Sequence, residues 1–178
     1  MTREALAARC TARSHDPGDS LAITRRTDFA VRLMYELAQL PAGATLSARD
    51  LCEVADVPES FGVSLVPFLI DAGLVKTEGY RRHLLSLAEP ASAITIGRVV
   101  RASEPEFSVA QCSRDPESCS RSEYCGVHEM WTHLDTIIWT HLDAITLAQV
   151  VSDEPLRLSL QTVAARTPDD APVSGRRA

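Results

Sequence analysis

This sequence has few aromatic side chains, a negative net charge and no long apolar run, and each of these features limits what kind of protein the chain can be. No stretch of the 178 residues approaches the roughly 20 apolar residues that span a bilayer, so a membrane partner is not expected. Residues 1–20 lack the apolar run of a signal peptide, so we expect a soluble, cytoplasmic protein with reduced thiols. Aromatic residues make up 5% of the chain, which favours a core of small aliphatic side chains.

The net charge of −6 is the opposite of the basic balance that is usual for a nucleic-acid-binding domain. Phosphate contacts need Lys and Arg, however, and the arginines are clustered. Arg25 and Arg26 precede the first predicted helix, while Arg81, Arg82 and His83 form a second cluster. Local clusters of this kind can bind DNA on an acidic protein, so these five residues are candidate DNA contacts.

Apolar spacing and capping residues predict a helix-turn-helix after a disordered leader at 1–20. Apolar residues recur at helical spacing over 27–40, which indicates an amphipathic helix. Ser47 is placed to cap a second helix, and Gly73 to end a third that covers 59–72. Two helices joined by a short turn are typical of a helix-turn-helix.

The rest of the chain predicts a mainly α protein, a winged helix-turn-helix with a small β-hairpin wing and a long C-terminal dimerisation helix. The domain covers 21–105, with the hairpin as its wing, and a cysteine-rich loop follows over 106–128. The dimerisation helix spans 129–151, and a flexible tail covers 152–178. Within the helix, Trp-Thr-His-Leu-Asp occurs twice, eight residues apart, so that two tryptophans flank a broad apolar face. Dimer packing is the natural use of that face, and the alternative is a core helix.

Three cysteines and a histidine, Cys112, Cys119, Cys125 and His128, are separated by six, five and two residues. They stand among polar residues, unlike cysteines buried in an apolar core. Thiolates and imidazole are ligands of soft or borderline metals, so the cluster indicates an iron–sulfur site or a structural zinc site. A thiol enzyme, with Cys125 as nucleophile and His128 as base, lacks visible oxyanion-hole glycines, and we expect no enzymatic activity.

The residues at this point resemble the BadM/IscR/NsrR group of bacterial winged-helix regulators, often called Rrf-type. Four segments carry the resemblance: LAITRRTDFAVRLMYELAQL, LIDAGLV, ITIGRVVRA, and three cysteines followed by His-x-x-Trp and a helix ending in DAITLAQVV. Together they lie within residues 21–151. The resemblance implies a homodimeric transcriptional regulator that binds double-stranded promoter DNA and represses transcription. Its DNA affinity would be controlled by an iron–sulfur cluster that senses nitric oxide, redox state or iron–sulfur supply, with no small-molecule substrate.

The resemblance also implies the cluster ligands. The three cysteines would hold the cluster, and the fourth ligand differs between branches of the family. His128 matches the branch with a 2Fe–2S cluster, and Asp28 matches the nitric-oxide-sensing branch, where a partner's carboxylate reaches a 4Fe–4S cluster. We favour His128 and the 2Fe–2S cluster.

The sequence departs from the family in the parts that would contact DNA. The wing has one glycine, Gly79, where the family is glycine-rich. The recognition segment contains Gly62 and Pro67, both poor in a helix interior, and Ser60 and Ser64 are among its few polar groups. A regulator with weakened DNA binding that acts through protein contacts therefore stays open.

Overall fold

The structure is a computed structural model that describes residues 23–79 and 83–152. The predicted leader and nearly all of the predicted tail lie outside these ranges. Within them the chain forms α1 (Arg25–Gln39), β1 (Leu46–Ser47), α2 (Ala48–Val54), α3 (Glu59–Asp71), β2 (Val75–Glu78), β3 (Leu84–Leu87), α4 (Ile96–Ser103), α5 (Gln111–Arg114), α6 (Gly126–Ala144) and α7 (Leu147–Ser152). The mainly helical fold class is confirmed.

The predicted helix-turn-helix is formed by α2 and α3. The Ser47 side chain caps α2 by accepting a hydrogen bond from the Asp50 amide at 3.1 Å. Asp56 has a positive φ of 51° in the turn, and Gly73 has a φ of 68° just after α3. Only a residue that tolerates this left-handed conformation ends a helix in this way, which explains the glycine at position 73.

The three strands form an antiparallel sheet in the order β1-β3-β2. Val75 of β2 faces Leu87 of β3, and Leu46 of β1 faces Leu85 of the same strand. Strands β2 and β3 are therefore the predicted hairpin wing, packed beside the helix-turn-helix.

The core is aliphatic, as the shortage of aromatic residues predicts. Its fully buried large side chains come from α1 to α4, from α7 and from the segments that connect these elements: Leu33, Met34, Leu51, Leu65, Leu69, Leu74, Ile94, Val99 and Leu147. Cys52 is buried among them, and burial, with a smaller effect of the Glu59 charge, raises the pKa of its thiol. The thiol of Cys52 therefore stays protonated, as expected of a core residue.

The prediction of a single helix over 129–151 is wrong in its extent, because α6 ends at Ala144 and a second helix, α7, begins at Leu147. Ile145 is extended, its carbonyl accepts a hydrogen bond from the Ile96 amide at 2.8 Å, and Thr146 pairs with Thr95. Leu147 then starts α7 as a fully buried core residue. The break returns the chain to the winged-helix core, which the apolar periodicity could not reveal.

Candidate functional site

The three cysteines of the predicted metal site stand at turns of the segment between α4 and α6. Cys112 lies within α5, and Cys119 and Cys125 directly follow the single 3₁₀ turns Pro116–Ser118 and Ser122–Tyr124. All three are half-buried free thiols. Their reactive groups are therefore within reach of a ligand from solvent, unlike the thiol of the buried Cys52.

The two candidate fourth ligands differ in their surroundings. His128 lies in the first turn of α6, where its amide donates to the Cys125 carbonyl at 2.9 Å. Its Nδ1 atom is buried and has no hydrogen-bond partner among the described residues. Asp28, in the first turn of α1, instead accepts from Arg32 at 3.0 Å within the same helix. Of the two candidate ligands, the His128 imidazole is therefore the one with a nitrogen atom that lacks a hydrogen-bond partner.

The donor set fits an iron–sulfur cluster or zinc by its chemistry, since three free thiols and an unpaired imidazole nitrogen stand in one segment. Within residues 23–79 and 83–152, however, no three His, Cys, Asp or Glu side chains converge on one point. The candidate ligands are thus close in the sequence but, in the described part of the chain, are not arranged around a common centre.

The carboxylate of Asp135 on α6 fixes the start of the cysteine segment. It accepts hydrogen bonds from the Ser108 hydroxyl at 2.6 Å, from the Val109 amide at 2.7 Å and from the Ser113 hydroxyl. Ser113 is the neighbour of Cys112 in the chain, so its hydrogen bond to Asp135 connects the first cysteine to the long helix α6. Asp135 is not among the residues predicted from the sequence, although it belongs to the repeated Trp-Thr-His-Leu-Asp motif.

The second copy of that motif joins α6 to α4. The Arg101 guanidinium donates to both carboxylate oxygens of Asp143, at 2.6 and 2.7 Å, and lies 4.2 Å from the centre of the Trp139 ring. Phe107 meets the same ring edge to face at 5.6 Å. The interpretation of both tryptophans as dimer-packing residues therefore needs correction, because Trp139 packs within its own chain.

A third group of contacts connects the C-terminal end of α4 to the start of α1. The Glu104 carboxylate accepts from the hydroxyls of Thr24 at 2.9 Å and Thr27 at 2.7 Å. The hydroxyl of the buried Ser103 also donates to Thr27 at 3.2 Å. These contacts fix the N-terminus of α1, where two candidate DNA-contacting arginines lie, relative to the cysteine segment.

The predicted DNA contacts lie on exposed positions wherever the structure describes them. Arg25 and Arg26 are exposed in the first turn of α1, Ser60 and Ser64 are exposed on α3, and His83 is exposed beside the hairpin turn. The other two predicted contacts, Arg81 and Arg82, lie outside the described residues.

Helix α6 has no fully buried residue in the single chain although it contains 19 residues. Ile137, Met130 and Val127 expose 44%, 51% and 56% of their surface. A long helix with this apolar content is typical of a surface that packs against a partner.

No helix of the described ranges is long and apolar enough to cross a membrane.

A helix-turn-helix followed by a hairpin wing defines the winged-helix class of DNA-binding proteins. A family model, Rrf2, described as an iron-dependent transcriptional regulator, matches residues 23–153. The chain therefore belongs to the Rrf2 family, whose members are DNA-binding transcriptional regulators, typically dimeric, and not enzymes. The Rrf-type resemblance and the expectation of no enzymatic activity are thus confirmed.

Solved structures show the same fold. The B. subtilis global cysteine regulator CymR is 24% identical, with a TM-score of 0.60 over 75% of this chain and 98% of that one. T. potens IscR is 23% identical, with a TM-score of 0.61 over 76% of this chain and 90% of that one. The oxidized form of S. aureus CymR is 22% identical, with a TM-score of 0.56 over 73% and 95%.

Proposed function

We propose that this protein is a cytoplasmic, homodimeric repressor whose affinity for promoter DNA is set by an iron–sulfur cluster. Cys112, Cys119 and Cys125 would hold the cluster, and it would report iron–sulfur supply, redox state or nitric oxide. One observation carries the proposal: a segment with three free thiols is attached to α6 by Asp135, and the unpaired His128 imidazole lies in the first turn of that helix. A bound cluster supplies a group that changes with redox state or nitric oxide.

The residues of the chain would transmit the state of the cysteine segment to the DNA-binding helices. Asp135 holds the segment against α6, and the ion pair between Arg101 and Asp143 holds α6 against α4. Glu104, just after α4, then holds the start of α1. A change of order in the segment would move α6 and alter how the two recognition helices of a dimer are spaced.

His128 is favoured over Asp28 as the fourth ligand. Its Nδ1 atom is buried without a partner, and ligation would satisfy it. Asp28 would first have to give up its 3.0 Å ion pair with Arg32. Thiolate and imidazole ligation together favour a 2Fe–2S cluster.

The first test is the iron and acid-labile sulfide per chain, with a visible spectrum, on anaerobically purified protein. We expect two irons and two sulfides. The Cys119→Ser variant should lose most of the iron, whereas Cys52→Ala, which alters the buried core thiol, should keep it. His128→Ala should shift the absorption spectrum, and Asp28→Ala should leave it unchanged.

The second part of the test compares promoter binding by cluster-loaded and cluster-free protein. Equal affinity of the two forms would contradict the proposed control. Stoichiometric colourless zinc would indicate a structural metal instead. Four irons with four sulfides would transfer the role of fourth ligand to Asp28 and favour nitric oxide as the signal.

A further inference from the structure

One face of the recognition helix α3 is exposed and carries no charged side chain. Positions 60, 63, 64 and 67 follow each other at helical spacing and are all exposed, whereas Leu65 and Leu69 are buried in the core. Val63 lies in the middle of this face and exposes 51% of its surface. The central side chain of the face therefore offers two methyl groups and no polar atom.

Hydrogen-bond donors for base recognition are scarce on α3. Its sequence, ESFGVSLVPFLID, has no Arg, Lys, Asn or Gln, the residues that form bidentate contacts with guanine or adenine. The Ser64 hydroxyl already donates to the Phe61 carbonyl at 2.7 Å, so its remaining capacity is to accept. Polar readout by α3 is thus restricted to short contacts near its N-terminus.

The charges around this face favour DNA as the occupant. Arg26 lies with its guanidinium 4.1 Å from the centre of the Phe68 ring of α3, and Arg25 is exposed beside it. Two cations at the edge of the face suit the phosphates on either side of a groove. In a helix-turn-helix the second helix enters the major groove, and its N-terminal residues meet the base edges.

We propose that Val63 is a specificity-determining residue that reads thymine methyl groups in the major groove. The C5-methyl group of thymine is the apolar feature of the major groove, and an aliphatic side chain recognises it by van der Waals contact. The inference rests on the proposed function, because it needs a DNA-binding dimer. To the proposed function it adds the kind of DNA sequence that is recognised, namely operators with thymine at the position that α3 faces in each half-site.

The test uses the full-length protein, purified anaerobically, and duplexes selected from a random-sequence library. The enriched duplex is then made again with deoxyuridine for thymidine, which removes the methyl group and keeps the base-pairing atoms. We expect roughly fourfold weaker binding per contacted methyl group, equivalent to ~0.8 kcal/mol. The Val63→Ala variant should bind the two duplexes equally.

A matched control is Val54→Ala, the same truncation at a valine of α2 that is 54% exposed. It should keep the difference between the thymidine and deoxyuridine duplexes. If the native protein binds both duplexes equally, or if Val63→Ala keeps the difference, the inference is wrong and the proposed function stands. If no duplex is enriched, both the inference and the proposed function are wrong.

Discussion

At the scale of single residues, one carboxylate determines where the cysteine segment starts. Asp135 accepts three hydrogen bonds, two from serine hydroxyls and one from the Val109 amide. A charged acceptor strengthens each of these bonds, and their loss would leave a half-buried amide without a partner. Asp135 is therefore a positioning residue for Cys112, which lies beside one of the serines.

We predict that Asp135→Asn loosens residues 108–113 without unfolding the protein. The amide side chain presents an NH₂ group to donors that need an acceptor, which should lower local stability by about 1–3 kcal/mol. Hydrogen exchange of the Val109 amide should therefore become about 5- to 150-fold faster. Asp115→Asn, at an exposed carboxylate of the same segment, is the control and should change little. Unchanged exchange at Val109 would show that the segment is held by other contacts.

At the scale of elements, α6 is attached to the winged-helix domain by contact with α4. The ion pair between Arg101 and Asp143 is bidentate, and Gly97 makes it possible. A Cβ atom at Gly97 would lie 2.0 Å from an Asp143 carboxylate oxygen, so any larger residue would displace the carboxylate. A side chain is excluded at position 97 by tertiary contact and not by backbone conformation.

We predict that this ion pair gives α6 docking a pH dependence. Hydrogen bonds from Arg101 and, to a smaller extent, its charge lower the pKa of Asp143 below its ordinary value of 3.8. A lowered pKa means that the stabilisation is present above pH 3.8 and is lost as the pH falls through the folded-state value. Both side chains are more than 40% exposed, so screening limits the effect to about 1 kcal/mol or less.

The measurement is the urea midpoint of native protein and Asp143→Asn at neutral pH and near the pKa of Asp143. At neutral pH the native protein should be more stable than Asp143→Asn. This difference in stability between the two proteins should shrink in acid and in high salt. Asp71→Asn, in the last turn of α3, is the comparison variant. A difference that is constant with pH would mean that packing of Trp139, and not charge, holds the two helices.

At the scale of the whole molecule, α6 divides its surface between its own chain and the expected partner. Trp139 and Asp143 face α4, while Met130 and Ile137 remain exposed. Because α7 returns to the core, the C-terminal end of α6 is fixed to the winged-helix domain, and the exposed apolar residues of α6 form a surface outside that domain. Such a surface supports the homodimer that is typical of the family.

We predict that Ile137→Glu converts the dimer to a monomer. A carboxylate at the centre of an apolar interface would be desolvated without a partner, at a cost of several kcal/mol. Sedimentation should show a monomer, and affinity for a two-half-site operator should fall with it. Val54→Glu, the same change of charge on α2, should stay dimeric. A dimeric Ile137→Glu variant would place the interface on another surface.

The local architecture and the chemical identity of the candidate ligands can be inferred from neighbouring residues in the chain. Helical spacing, the Ser47 cap and the glycine at position 73 are encoded by neighbouring residues, so they predict the helix-turn-helix and the wing. The grouping of three cysteines with His128 is likewise a property of adjacent sequence. Their convergence around a metal stays a prediction.

Contacts between residues far apart in the chain could not be inferred in this way and became known from the fold. Arg101 and Asp143 are 42 residues apart, and no periodicity relates them. Gly62, a poor helix residue by sequence, is required because a Cβ atom there would lie 2.1 Å from the Cys52 sulfur. The break of the long helix at Ile145 has the same origin, since burial of Leu147 in the core outweighs the helical preference of the local sequence. Packing between distant segments therefore decided what local pattern left open.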